Sequence, residues 1–531
     1  MQSSSVDELR AEVARLATER DQAVADREAY HALYLKALEQ LRRLELGLLG
    51  QKAERLPASD AQLSIALLAE LLGRGPTPER SAEKQVVREH ERAKPTGRKP
   101  LPAELPRVEV EILPPEVERE GRDAFEQIGV EVAETIERRP ASVVVVRTSR
   151  PKFVRKDRER NAETAVMIAE PPELPIERGL AGPGFLADTV VRRWQDHLPL
   201  HRLEEIYARD GPELARSTIC GWHTALAELV RALVEAMFKD ARGAPYLCTD
   251  ATGVLVQAKE KCRRGHYWVL VVPERHVLYR YSPTHDGAAV DELLAGYEGY
   301  LVADAHAVYD HLFKTGKVIE VACWAHCRRY WFKALESEPD RARVALGLIG
   351  ELFRIERATD AQPGRERLAV RLAQAKPVVE KFFAFCEAEA PRALDDTPLA
   401  RAIGYALNQR VALSRFLEDG RLPMHNNGSE QALRRQVIGR KNWLFLGNDD
   451  AGDVNAAFVS LLASCRLHGV EPWAYLRDLF CLLPRWPAAR VLDLAPVNWR
   501  QTREQEDTQQ RLAANVFRRA VLDLAKHRDQ Q

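Results

Sequence analysis

"PYLCTDATGVLVQAKEKCRRGHYWVLVVPERHVLYRYSP" (residues 245–283) holds three runs rich in β-branched and aromatic residues. They are "PYLCTDATGVLVQA", "HYWVLVVPE" and "HVLYRYSP", and each has the length and composition of a strand. The connectors "KCRRG" and "ERH" are too short for a crossover, so the three strands form an antiparallel meander. A helical stretch, "DGAAVDELLAGY", comes next. A fourth strand, "GYLVADAHAVYD", and a fifth, "KVIEVACW", follow it. From residue 325 to 483 the apolar spacing is helical.

Three antiparallel strands, a helix, a strand, a helical segment and a strand make the order of a ribonuclease H-like α/β core. In such a core the fourth strand lies beside the first, a pairing the sequence leaves open. Asp250 falls inside the first strand and Asp304 at the end of the fourth, 54 residues later. If the two strands are neighbours, the two carboxylates face each other. Carboxylates so near a sheet core are costly unless they are paired or bind a metal. Mg²⁺ or Mn²⁺ is the natural compensation, because hard cations take oxygen ligands. A third carboxylate would complete a site for two ions, one activating the attacking oxygen and one stabilising the leaving oxygen of a phosphodiester. Glu430, in "HNNGSEQALRR" (425–435), is the candidate. The bland alternative makes these a strand-edge Asp, a turn Asp and a solvated helix Glu. Asn426, Asn427 and Ser429 are expected to cap that helix.

Cations cluster near these acids. Arg434, Arg435, Arg440 and Lys441 follow Glu430, and "CWAHCRR" supplies His326, Arg328 and Arg329. They are candidate phosphate contacts, or else solvated charge. Cys323, His326 and Cys327 have the i, i+3, i+4 spacing of a metal-binding helix face, with packing the favoured reading. Trp324, Trp331 and Trp443 are either core or stacking platforms for an unpaired base.

The flanking regions divide by composition. Leu9, Leu16, Ala23, Tyr30, Ala37 and Leu44 recur every seven residues, which predicts a coiled coil within 1–72. An amphipathic helix packed on its own chain is the alternative. Residues 73–106, including "KPTGRKP", form a basic Pro/Gly linker. Residues 107–178 carry "RVEVEIL" and "ASVVVVRTSRPKFVRK", a small β-containing module in which Arg147, Arg150, Lys152 and Arg155 make a candidate DNA patch. Residues 179–243 read as a helical DNA-binding segment of helix-turn-helix layout, with Ser217 and Thr218 near the start of its second long helix. A catalytic domain spans 244–470, with an all-α insertion over about 338–420, and a helical tail spans 471–531.

Lys and Arg number 78, as do Asp and Glu, so net charge is zero and any nucleic-acid surface must be local. Eight cysteines, none before residue 220, suit reduced thiols in a cytoplasm rather than a disulfide framework. No apolar run is long enough to span a bilayer, which predicts a protein without a membrane partner.

"HNNGSEQALRRQVIGRKNWLFLG", "SCRLHGVEPWAYLRDLF", "VADAHAVYD" and "VACWAHCRRYWFKAL" resemble transposases of insertion-sequence family sixty-six. "HLPLHRLEEIYARDG", "LARSTICGW" and "GRKPLP" resemble that family's helical segment and linker. The resemblance implies a leucine zipper, a small zinc-finger module and a DDE core that performs DNA transposition. Its acidic triad maps onto Asp250, Asp304 and Glu430, with two Mg²⁺ (or Mn²⁺) ions. The implied partners are transposon-end and target DNA, further copies of the chain, and accessory proteins of the same element. The implied location is the bacterial cytoplasm, at the nucleoid when bound to DNA. The family's Cys-x-x-Cys pairs are absent here: their places read "LPPEVEREG" and "KFVRKDRER", so no structural zinc is expected in the module. Three rivals remain: a DNA-binding relative that has lost cleavage, a nuclease without strand transfer, and a coiled-coil scaffold.

Overall fold

The computed structural model describes residues 101–528 apart from 104, 140–141 and 157–165, together with 15, 16, 20 and 22. The coiled-coil expectation for 1–72 and nearly all of the 73–106 linker lie outside the described residues. The described chain is mixed α+β and divides into two compact units. The first comprises 100–326, 359–372 and 409–531, and the second includes 327–358 and 373–408.

The first unit begins with a four-stranded sheet, formed by β1 (Arg107–Glu111), β2 (Phe125–Arg139), β3 (Ser142–Arg155) and β4 (Met167–Ile168). Its order is β1-β3-β2, with β1 parallel and β2 antiparallel to β3, and with β4 against β3. The sequence reading found β1 and β3 and missed β2, the longest of the four. The alternation Ile128, Val130, Val132 is present in "FEQIGVEVAETIERR", but all three side chains are exposed, and Gly129 and Glu131 fill the gaps. No cysteine contributes. Val144 and Val146 pack instead on Phe517 and Ala520 of the last helix, and Val117, Phe125 and Phe153 form a second cluster. The expected C-terminal tail therefore returns to cover the module.

Helix α1 (Pro183–Val190) is buried along its whole length, and its N-cap, Gly182, offers no side-chain acceptor. Glu137 of β2 takes that role. Its Oε1 accepts from the Phe185 N–H at 2.6 Å and from its neighbour Arg138 N–H at 2.7 Å. Burial pushes the Glu137 carboxyl up to about 8, although the backbone N–H groups of Arg138, Gly184 and Phe185 pull the other way. Gly182 and Gly184 leave the space it fills, since a Cβ at either would collide with its carboxylate. Helices α2 (Leu200–Asp210) and α3 (Arg216–Ala241) follow, joined by a short turn, in the expected helix-turn-helix layout.

The second sheet contains β5 (Tyr246–Val256), β6 (Arg263–Val272), β7 (His276–Ser282), β8 (Gly299–Ala303) and β9 (Val318–Ala322). Its order is β7-β6-β5-β8-β9. The first three strands are mutually antiparallel, whereas β8 is parallel to both β5 and β9. The fourth strand thus lies beside the first. Helix α4 (Gly287–Leu293) bridges β7 and β8, with Asp286 capping it through Ala289 N–H. Helix α5 (Trp324–Ala334) starts directly after β9 and runs from the first unit into the second.

In the second unit, α6 (Pro339–Ala358), α7 (Lys376–Glu389) and α8 (Pro398–Asn408) accompany the end of α5. Trp331 is fully buried there, edge-on to Phe382 at 6.1 Å. The chain then returns to the first unit with α9 (Asn427–Trp443), β10 (Phe445–Leu446), α10 (Asp449–Leu467) and α11 (Pro472–Leu482). The two-residue β10, parallel to the end of β5, interrupts a region read as wholly helical. Helix α10 closes the β7 edge: the hydroxyls of Ser460 and Ser464 accept from Tyr279 and Val277 N–H at 2.7 and 3.2 Å. An open strand edge is thereby satisfied.

The Glu137 carboxyl predicts a pH signature. A folded-state pKa raised from 4.5 means that its contribution to stability is complete below about pH 4.5 and is lost as pH rises through about 8. Urea unfolding of wild type and Glu137→Gln between pH 5 and 9 checks this. The variant should lose less stability across that range, and parallel pH profiles would exclude Glu137 as the source.

Candidate active site

Strand β5 is the spine of the site. It pairs with β6 on one side and with both β8 and β10 on the other. The β5–β8 register runs Tyr246–Tyr300, Leu247–Leu301, Cys248–Val302. The ladder ends at this last pair, two residues before Asp250 on one chain and two residues before Asp304 on the other. Asp304 is the first residue beyond β8, so its backbone is free of the ladder. Both carboxylates are half-buried, and Asp250 Oδ1 accepts from Ala251 N–H at 2.7 Å. Beneath them, Tyr309 is buried, and its hydroxyl is driven far above its ordinary range by burial first and by the negative charge of Asp304 and Asp250 after that.

Glu430 sits in the first turn of α9, and the sequence did not foresee what fixes that turn. Asn426 is wholly buried at the N-cap position but makes no cap bond. Its Nδ2 donates instead to the Thr249 carbonyl at 2.7 Å, and its backbone N–H donates to Cys323 Sγ at 3.2 Å. The capping role expected for Asn426 is thus replaced by a clamp between the helix start, the residue before Asp250 and the end of β9. Ser429 is buried as well, without a hydrogen bond from its hydroxyl, so it does not cap either. Trp324 N–H donates to the Met424 carbonyl at 3.1 Å, tying the same two segments again. His326, in the first turn of α5, places Nε2 3.4 Å from Glu430 Oε1.

Further along α9, Arg440 donates to Thr252 Oγ1 at 3.0 Å and to the Gly253 carbonyl. Arg440 therefore fastens the helix to β5, where a phosphate contact was expected. Arg435 is half-buried and donates to Gln195 Oε1 at 2.7 Å, and burial lowers its pKa. Arg434 and Lys441 are exposed. Ser217 and Thr218 are exposed in the first turn of α3, and Arg328 and Arg329 on α5. In the N-terminal module the four candidate cations face glutamates of the same module: Arg147 with Glu109 and Glu134, Arg150 and Lys152 with Glu131, and Arg155 with Glu120. Their charge is offset locally, which weakens the expected patch.

Asp250 and Asp304 offer the oxygen donors that Mg²⁺ or Mn²⁺ takes. Glu430 is turned to His326. Among the described residues, no three His, Cys, Asp or Glu side chains are gathered closely enough to hold an ion. Cys323 and Cys327 are buried, in keeping with the packing reading favoured for "CWAHC". Trp324 and Trp331 are fully buried and Trp443 nearly so, which settles them as core. Among the described residues, no helix is long and apolar enough to cross a membrane.

Residues 178–454 match the model of the transposase IS66 family, and residues 460–497 match the IS66 C-terminal element. Residues 37–110 match a model described as transposase C of IS166 homeodomain. The uncharacterized protein y4hP of Sinorhizobium fredii is 31% identical over 504 residues, covering 88% of this chain and 89% of its own. A second uncharacterized protein of that organism, y4qI, is 30% identical over 512 residues, covering 92% of each chain. Asp250, Asp304, the helix that carries Glu430, and the helical segment before them all lie inside the first match: the chain belongs to the IS66 family of transposases.

Proposed function

We propose that this protein is a DDE-type DNA transposase that cuts and joins phosphodiesters at the ends of an insertion sequence, with Asp250, Asp304 and Glu430 as its acidic triad. Beyond family membership, the observation that supports this reading is the parallel β5–β8 pairing, whose last pair, Cys248–Val302, lies two residues before Asp250 and Asp304. The strand order β7-β6-β5-β8-β9 supports a ribonuclease H-like core for the catalysis. Mg²⁺ or Mn²⁺ bound by these carboxylates supplies charge neutralisation and a more acidic water or hydroxyl.

The chain's own groups prepare that site. Asp250 and Asp304 hold their oxygens at the end of a rigid sheet. Asn426 sets the height of Glu430 above that sheet, and His326 retains its carboxylate. Buried Tyr309 keeps its hydroxyl proton. Arg434 and Lys441, with Ser217 and Thr218 on α3, are the groups available for the DNA backbone. The N-terminal zipper would hold copies of the chain together on paired DNA ends, and accessory proteins of the element would act with them.

Incubation of the full chain with DNA carrying the element's terminal repeats and Mg²⁺ should yield nicked and joined products. Asp250→Asn, Asp304→Asn and Glu430→Gln should each reduce both by about 10³-fold or more while DNA binding persists. Retained cleavage in all three removes the triad. The engagement of Glu430 by His326 favours a second reading, a DNA-binding relative without cleavage, and repeat binding with no Mg²⁺- or Mn²⁺-dependent product would establish it. Cleavage without joining would indicate a nuclease, and no DNA binding at low salt a scaffold.

Asn426→Ala removes the clamp and leaves the buried Thr249 carbonyl short of a donor. Stability should fall by about 1–3 kcal/mol. The Mg²⁺ concentration for half-maximal cleavage should also rise, because Glu430 loses its fixed position. Unchanged Mg²⁺ dependence in a folded Asn426→Ala protein would limit Asn426 to stability.

A further inference from the structure

Helix α5 divides its residues sharply between two environments. Trp324, Cys327, Trp331 and Ala334 are buried at helical spacing. The remaining face carries Arg328, Arg329, Tyr330, Phe332 and Lys333, all exposed, and the helix has no acidic residue between Trp324 and Ala334. Phe332 is 58% exposed. Arg328 and Arg329 lie one helical turn before it, at i−4 and i−3, and so border its ring. A second aromatic group lies further around the same helix. Tyr330 stacks on Tyr405 of α8, with centroids 4.7 Å apart and planes 23° apart, and Lys333 Nζ is 5.8 Å from the Tyr330 ring centre. Arg401 is exposed one turn before Tyr405 on α8 and donates to the Asp396 carbonyl. The exposed residues of this face, with Tyr405 and Arg401, belong to the second unit.

Exposed rings interleaved with cations, without acids on the helix, are what single-stranded nucleic acid requires: faces for bases and charges for the backbone. A closed duplex hides the faces of its bases and would use only the charges. From this arrangement we infer that the outer face of α5 is a single-strand docking platform, on which an unpaired base stacks against Phe332 while Arg328 and Arg329 hold the flanking phosphates. The inference deepens the transposase reading by naming unpaired DNA as the substrate form this unit takes. The stacking role considered for the tryptophans passes to Phe332, because the tryptophans are core.

The test uses the full chain, a fluorescein-labelled single strand, and a closed hairpin duplex of the same composition. Phe332→Ala should weaken single-strand binding by about tenfold while changing duplex binding by less than about twofold. Phe332→Trp should restore it. A 2-aminopurine base in the single strand should be quenched by wild type and Phe332→Trp, and not by Phe332→Ala or Phe332→Leu. Arg328→Ala should lower the salt dependence of single-strand binding by about 0.7 in logarithmic slope. Equal losses on both DNA forms, or wild-type binding and quenching by Phe332→Ala, overturn the platform and leave the transposase reading standing if the triad variants still abolish cleavage. Phe332-dependent quenching in a protein that never cleaves terminal repeats keeps the platform and overturns the catalytic reading.

Discussion

The hydrogen bond from Asn426 to the Thr249 carbonyl holds the helix of Glu430 to the strand of Asp250. It is short and wholly buried, so it resists exchange with water. It also makes strand and helix one rigid body, because it acts with two further attachments. Arg440 fastens the later part of α9 to Thr252 and Gly253, and β10 pairs with Leu255 and Val256 immediately after the helix ends. The helix is thus fixed to the same strand at three successive heights. A carboxylate on such a helix has little freedom of position, which is the condition for a preorganised site.

The use of positive charge follows the same division. Arginines on the inner side of α9 serve architecture: Arg440 supports β5, and Arg435 joins the helix to Gln195 of the preceding helical segment. Nearby, Arg193 is buried against Trp194 and Trp443, and burial draws its pKa down to about 10. Cations that remain in water, such as Arg434 and Lys441, are the ones with charge to offer an anion. A run of basic residues in a sequence therefore mixes two populations, and burial separates them.

Much of the second sheet was legible because its strands are short, apolar and separated by clear turns. The meander of 245–283, the strands ending at Ala303 and Ala322, and the helix-turn-helix spacing all follow local patterns. The partners of side chains were harder to read. Asn426 precedes a helix, so its type suggests a cap, and only the long-range approach of Thr249 diverts it. The same holds for Arg440. Strand β2 was obscured because half of it is solvent-facing on its apolar stripe, a pattern that imitates a charged loop. The module's cations looked like a DNA patch because the acids that offset them lie on other strands. The coiled-coil segment is outside the described residues and stays an expectation.

The Trp324–Met424 hydrogen bond has a consequence for how such a chain can change. The chain between these two residues is an excursion of one hundred residues that holds both 327–358 and 373–408 of the second unit, together with 359–372 and 409–423 of the first. Whatever lies between closes a loop whose ends are already joined. The entropy of closing a longer loop grows only logarithmically with its length. Segments of very different size can therefore be exchanged there at little cost to the sheet or to the helix that follows. Variation among relatives should concentrate in that excursion, and the two attachment points should tolerate much less.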